Sequence, residues 1–287
     1  MVTIVTTDRA TDWEPVESDG FRDKATSRLE QTVRMAARMP EREGTNVMPE
    51  LPALSRTVPQ LEALARINDA KTYLEIGVSK GNTFMNATFF ELRHGVDPRP
   101  RFDTAAYGSD SVCFFEMTSD DFFVNHADPK QKYDIVFLDG LHTFEQTFRD
   151  FCCSQAHSHD DTIWLIDDVH PTDIFSAHPD QRLAYRYRER HGIPGKAWHG
   201  DVFKVVFAIN DFFPNLSYRT VVGNGNPQAV VIRRQRHEFA PVFGDFEQIA
   251  RMTYYDFAEN RHRMNFASND DVITWLKTSA WPHRTRC

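Results

Sequence analysis

Three aspartates stand at the ends of short apolar runs in this 287-residue chain: Asp139 closes YDIVFLD, and Asp167 and Asp168 close TIWLIDD. Runs of this kind read as buried strands, and the carboxyl ends of neighbouring parallel strands share one crevice. Carboxylates crowded there repel one another unless a cation neutralises them. Hard oxygen ligands suit Mg²⁺, with Mn²⁺ or Ca²⁺ admissible and zinc disfavoured. The alternative is that Asp139 serves a cofactor alone while Asp167 and Asp168 cap a helix. His142 follows Asp139 by three positions. An imidazole there is a candidate general base near neutrality, or a residue that caps or packs at a helix start. His170 and His199 are candidates for lining a substrate pocket, and Asp201 reads as a helix cap.

A second constellation lies upstream. In Glu75-Ile-Gly77-Val-Ser79-Lys-Gly81 an acid precedes two glycines at a strand end. Glycines let the backbone turn sharply and approach a ligand, and a following helix start presents free N–H groups. A nicotinamide dinucleotide site prefers GxGxxG, and the second glycine of that pattern is missing here, which disfavours a dehydrogenase. Asp97 ends the next run, where a carboxylate can accept both ribose hydroxyls. Ser119 and Asp120 follow the third run, and Asp120 could instead cap a helix.

The elements that must position these residues alternate. TYLEIG (72–77), HGVDP (94–98), VCFFEM (112–117), YDIVFLDG (133–140) and TIWLIDD (162–168) are expected as strands. Helices are expected in NTFMNATFFELRHG, in TFEQTFRDFCCSQA and within 180–213, broken at GIPG. This order predicts an α/β fold with a parallel sheet covered on both faces. LSYRTVV and QAVVIRR, joined by the turn-rich GNGNP, predict an antiparallel hairpin. Ahead of the core come a polar arm (1–20), a helix over 21–39 ended by Pro40 and Gly44, and a short helix near 60–68. Residues 235–287 read as helical and aromatic.

Five parallel strands, an ExGxxxG loop and a late hairpin resemble the class I S-adenosylmethionine-dependent methyltransferases. That resemblance implies a Rossmann-like, doubly wound, seven-stranded sheet with an antiparallel C-terminal hairpin. It implies S-adenosylmethionine as cofactor, with Glu75 at the methionine amino end, Gly77, Ser79 and Gly81 making room for the nucleoside, and Thr83 meeting the carboxylate. Asp97 then falls to the ribose, Ser119 and Asp120 to the adenine, and Asp139 to both cofactor and chemistry. The stretch YDIVFLDGLHTFEQTFRDF looks like the signature of a bacterial small-molecule methyltransferase family. The acidic set is similar to that of metal-dependent O-methyltransferases, both the catechol type and the sugar type of antibiotic pathways. It implies Mg²⁺ at Asp139, Asp167 and Asp168, with a metal-bound hydroxyl deprotonated by His142 and attacking the sulfonium methyl in line. Two departures stand out. His142 replaces the lysine of catechol-type enzymes, and Leu141 stands where some sugar-type enzymes carry an acid.

Composition bounds the rest. With 33 basic and 41 acidic residues the net charge is −8, which disfavours a nucleic-acid substrate. No long apolar run marks a membrane helix, and no secretory leader is expected. Cys113, Cys152, Cys153 and Cys287 form no zinc-like pair or disulfide framework, so a reduced cytoplasmic setting is expected. The organisation expected is a cap or dimer-contact region (1–70), a methyltransferase core (71–233) and a helical extension (234–287). The expected activity is Mg-assisted O-methylation of a small hydroxylated acceptor by a homo-oligomer. The alternatives are a metal-independent O- or N-methyltransferase with a histidine base, and a non-catalytic cofactor-binding oligomer.

Overall fold

Alternation of side chains in the central strands explains the architecture. Leu74, Ile76, Val136, Leu138, Trp164 and Ile166 join one apolar cluster, while their neighbours Tyr73, Ile135, Phe137, Ile163 and Leu165 join a second on the other face. A strand buried on both faces has no polar side to offer water, so helices must cover both. The computed structural model describes residues 51–223 and 225–278. The expected arm 1–20, the helix over 21–39 and Cys287 lie outside the described residues.

Helix α1 (Thr57–Asn68) precedes strands β1 (Thr72–Ile76), β2 (Leu92–Val96), β3 (Val112–Phe115) and β4 (Ile135–Leu138). Then come α2 (Phe144–Ser154), β5 (Ile163–Ile166), α3 (Gln181–Arg190) and α4 (Phe203–Phe212). The hairpin β6 (Leu216–Val221) and β7 (Gln228–Arg233) is followed by α5 (Phe246–Ala250), α6 (Tyr254–Glu259), β8 (Phe266–Ala267) and α7 (Asn269–Thr278). The sheet order is β3-β2-β1-β4-β5-β7-β6-β8. Strands β1 to β5 run parallel, and β7 enters antiparallel between β5 and β6. Phe144 and Phe151 of α2, with Phe203 and Phe207 of α4, cover one face. Leu61 and Leu64 of α1, with Val272 and Leu276 of α7, cover the other. Each fully buried large apolar side chain contributes about 1.5–3 kcal/mol.

Two expectations are corrected. Among the described residues the sheet has eight strands, because β8 of the C-terminal extension pairs in parallel with β6 at the edge. The segment after β1 forms turns rather than a regular helix, and its last residues belong to β2. Local side chains take the carbonyls a helix would use: Asn86 Nδ2 donates to Asn82 O (3.0 Å), and Arg93 Nη1 donates to Phe84 O (2.9 Å). Burial of Phe84, Ala87 and Phe90 holds this irregular path against the sheet.

Candidate active site

The carboxyl ends of β1 to β5 open into a cavity of about 690 Å³. Its wall carries Gly77, Ser79, Asp97, Ser119, Asp120, Asp139, His142, Asp167 and Asp168, nine of the residues singled out in the sequence. Gly77 has φ +97°, and a Cβ there would fall 2.0 Å from the Asp139 carbonyl oxygen, so β1 and β4 close together only over glycine. Ser79, at φ +49°, donates its backbone N–H to Asp97 Oδ2 (2.7 Å). Asp97 Oδ1 accepts from Arg99 N (2.7 Å), so both carboxylate oxygens are fixed while keeping lone pairs for a diol.

At the far end, Thr118 rather than Asp120 caps the helical turn, its hydroxyl accepting from Asp121 N (3.2 Å). Asp120 instead accepts from Arg149 Nη1 (2.7 Å) and Gln146 Nε2 (3.1 Å). Asp150, one turn beyond Gln146 on α2, is 2% exposed and accepts from Gln146 Nε2 at 3.0 Å. Burial pushes its pKa up to about 6, against hydrogen bonds from Ser119 and Gln146 that favour the ionised form.

The opposite end is acidic. Ligand atoms of Asp139, His142 and Asp168 all lie within 4.8 Å of one another. His142 Nε2 is 3.4 Å from Asp139 Oδ1, and its Nδ1 is 2.8 Å from Asp168 Oδ2. That Nδ1 is buried without hydrogen-bond geometry to any acceptor. Burial opposes charge on the imidazole, but the two carboxylates outweigh it and push its pKa up to about 11. Burial raises the Asp139 pKa, the His142 contact opposes that, and the Asp168 charge adds to it. Asp167 lines the cavity but turns Oδ1 back to Asp168 N (2.8 Å); burial, then the charges of Asp139 and Asp168, raise its pKa well above the usual range. Asp168, at φ +58°, accepts from Asn226 Nδ2 of the β6–β7 loop at 2.9 Å.

Two carboxylates and an imidazole whose two nitrogens face them at 3.4 and 2.8 Å suit a divalent cation of hard to borderline character. The group differs from the all-oxygen trio expected from the sequence, because His142 and not Asp167 completes it.

The parallel strands with a reversed β7 and a cofactor-sized cavity at the strand ends frame one further observation: residues 74–169 match the family model described as a methyltransferase domain. This stretch resembles a methyltransferase domain. Solved structures of similar fold include an O-methyltransferase of Bacillus cereus in complex with SAH, at 15% identity and TM-score 0.43, covering 72% of this chain and 89% of that one. Another is the O-methyltransferase TomG of Streptomyces achromogenes, involved in tomaymycin synthesis and solved with SAM, at 15% identity and TM-score 0.41, covering 74% and 90%. No curated protein sequence matches the chain.

Five expected site residues stand off the cavity wall. Glu75 is 1% exposed and accepts from Tyr73 Oη (2.6 Å); burial raises its pKa well above the usual range, and it lies beneath the loop rather than on the wall. Gly81 packs on Met85 and Phe102, and Thr83 is buried, with its carbonyl accepting from Ala87 N at 3.1 Å. His170 packs edge-on against Phe257 and Phe266. His199 is buried behind the cluster, its Nε2 3.9 Å from Asp168 Oδ1. Conversely, Gln146, Asp150, Trp198 and Asn226 line the cavity unforeseen. Gln146 and Asp150 carried a signal, being polar residues four apart on one face of α2. Trp198 and Asn226 sit in loops and carried none.

Proposed function

We propose that the methyltransferase domain moves the methyl group of S-adenosylmethionine to a hydroxyl of a small molecule, with a divalent cation, Mg²⁺ first among them, at Asp139, His142 and Asp168. The observation that carries this reading is a single cavity whose wall carries both Asp97, each carboxylate oxygen held by a backbone N–H, and the Asp139–His142–Asp168 group. Asp97 would hold the ribose, and Ser119 with Asp120 the base. When bound, the cation would stabilise a hydroxylate and orient it. The chain's own part is positional: the fixed strand ends align donor and acceptor, and the buried wall excludes water. A methyl acceptor of limited size fits what the cavity leaves beside a cofactor, and a homo-oligomer working in the cytoplasm remains part of the same proposal.

The test is calorimetric titration of Mg²⁺ and Mn²⁺ into the protein with S-adenosylhomocysteine, followed by methyl transfer to sugars and phenols with and without chelator. Divalent binding with chelator-sensitive transfer is the expected result. Chelator-resistant transfer selects a second reading, favoured by the His142 imidazole already standing between two carboxylates, in which that histidine serves without a metal. Cofactor binding with no transfer to any acceptor overturns both.

A further inference from the structure

The loop between α3 and α4 meets the His142 segment at Trp198, Gly200 and Asp201. The Trp198 indole stacks on the His142 imidazole, with centroids 4.7 Å apart and planes 11° apart, and its own Nε1 is tied to His178 O at 2.7 Å. His199 donates its backbone N–H to Ser176 O (2.9 Å) and brings its ring behind Asp168. Gly200, at φ +60°, lies so close to the His142 backbone that a Cβ would fall 1.7 Å from the His142 carbonyl oxygen. Asp201 Oδ1 accepts from Phe144 N (2.8 Å), which is the first amide of α2. The helix has no cap of its own, since the Thr143 side chain makes no capping bond. Asp201 Oδ2 is held by Lys204 Nζ (2.8 Å), which also reaches Ala250 O (2.7 Å), and both charges are buried.

We infer that Trp198, Gly200 and Asp201 are positioning residues that lock the His142 imidazole between Asp139 and Asp168. The inference rests on the reading that His142 belongs to the reaction centre. Each contact restrains a different freedom. The indole fixes the ring plane, Gly200 fixes the depth of the backbone, and the Asp201 cap fixes where α2 begins. A ligand group held in one rotamer by neighbours it does not share with the cation binds more tightly, and loss of such support costs about ten- to a hundredfold in metal affinity. Trp198 is also part of the cavity wall, so the surface that orients the imidazole is the surface an acceptor meets.

The experiment uses full-length protein with ¹³C-labelled histidine. The His142 resonance is assigned by its loss in His142→Gln, and is expected upfield of an unstacked histidine because of the indole ring current. Trp198→Ala should move it downfield and broaden it, Trp198→Phe should restore most of the shift, and Asp201→Asn should broaden it. Mn²⁺ affinity by calorimetry should fall about tenfold or more in Trp198→Ala and Asp201→Asn, and recover in Trp198→Phe. S-adenosylhomocysteine affinity should stay within about twofold in Asp201→Asn, whose side chain lies off the cavity wall. Unchanged His159 signals, remote at the Asp134 pair, show that the fold is intact. If Asp201→Asn does not fold, the two Trp198 variants decide. A His142 resonance and Mn²⁺ affinity indifferent to Trp198→Ala overturn the inference. If wild type binds no divalent cation, the metal reading fails by itself, while the His142 resonance still reports the lock.

Discussion

Gly77 and Asp139, the last residues before two adjacent strand ends turn away, approach so closely that the space for a methyl group at Gly77 is taken by the Asp139 carbonyl. Gly77→Ala would require both a left-handed alanine and a backbone shift of β4. We expect a loss of at least about 2 kcal/mol in stability, with S-adenosylhomocysteine binding abolished, read by denaturant melts and calorimetry. A variant as stable and as competent as wild type would contradict the assigned geometry.

Asp97 accepts one backbone N–H on each oxygen, from Ser79 and Arg99. Asn keeps one acceptor and points an N–H₂ at one of those donors. Asp97→Asn should weaken S-adenosylhomocysteine binding by about ten- to a hundredfold, equivalent to about 1.4–2.8 kcal/mol, with a small change in Tm. Equal affinity in the variant would remove Asp97 from the ribose.

Asp134 lies at the opposite end of the sheet and pins two segments. It accepts from Lys71 N (2.8 Å), Thr72 N (2.8 Å), Thr72 Oγ1 (2.9 Å) and His159 Nε2 (3.0 Å). Burial disfavours its charge, but these bonds outweigh that and hold its pKa well below the carboxylate range. A depressed folded pKa means the stabilisation is complete above the unfolded value of about 4 and is lost as pH falls toward the folded one. Asp134→Asn should cost about 2–3 kcal/mol at pH 7 and progressively less near pH 3, measured by urea melts across pH.

Asp150 runs the other way. Its folded pKa of about 6 exceeds the unfolded value of about 4, so its favourable contribution is present below pH 4 and disappears as pH rises through 6. Asp150→Asn should therefore gain stability relative to wild type between pH 4.5 and 7.5, by about 1–2 kcal/mol. A parallel pH profile for the two proteins would rule this out.

What the sequence made legible was whatever local pattern dictates. Apolar runs ending in Gly77, Asp97, Asp139 and Asp168 marked strand ends, because a strand buried on both faces leaves few other places for a polar residue. The hairpin announced itself through glycine and asparagine. Illegible were relations that depend on where distant segments meet. Asp201 was expected to cap the helix that follows it and instead caps α2, 57 residues upstream. His142 lies with Asp139 and Asp168 in one group of candidate ligands, while Asp167, also on the cavity wall, accepts the Asp168 main-chain N–H. The irregular path after β1 was hidden because its composition suits a helix, while Asn86 and Arg93 fold back onto the carbonyls of Asn82 and Phe84.

The reversed strand β7 gives the family match a boundary that folding does not respect. The match ends at residue 169, just past β5, yet Ile163, Trp164, Leu165 and Ile166 find their outer partners at Ile232, Val231, Val230 and Ala229. A fragment ending there would leave its most apolar strand with a bare row of amides and carbonyls, an invitation to pair with another copy. It would also lack the Asp201 cap on α2. What is recognisable as a unit of descent is thus shorter than what can stay soluble, and any minimal version of this protein must extend at least through the hairpin.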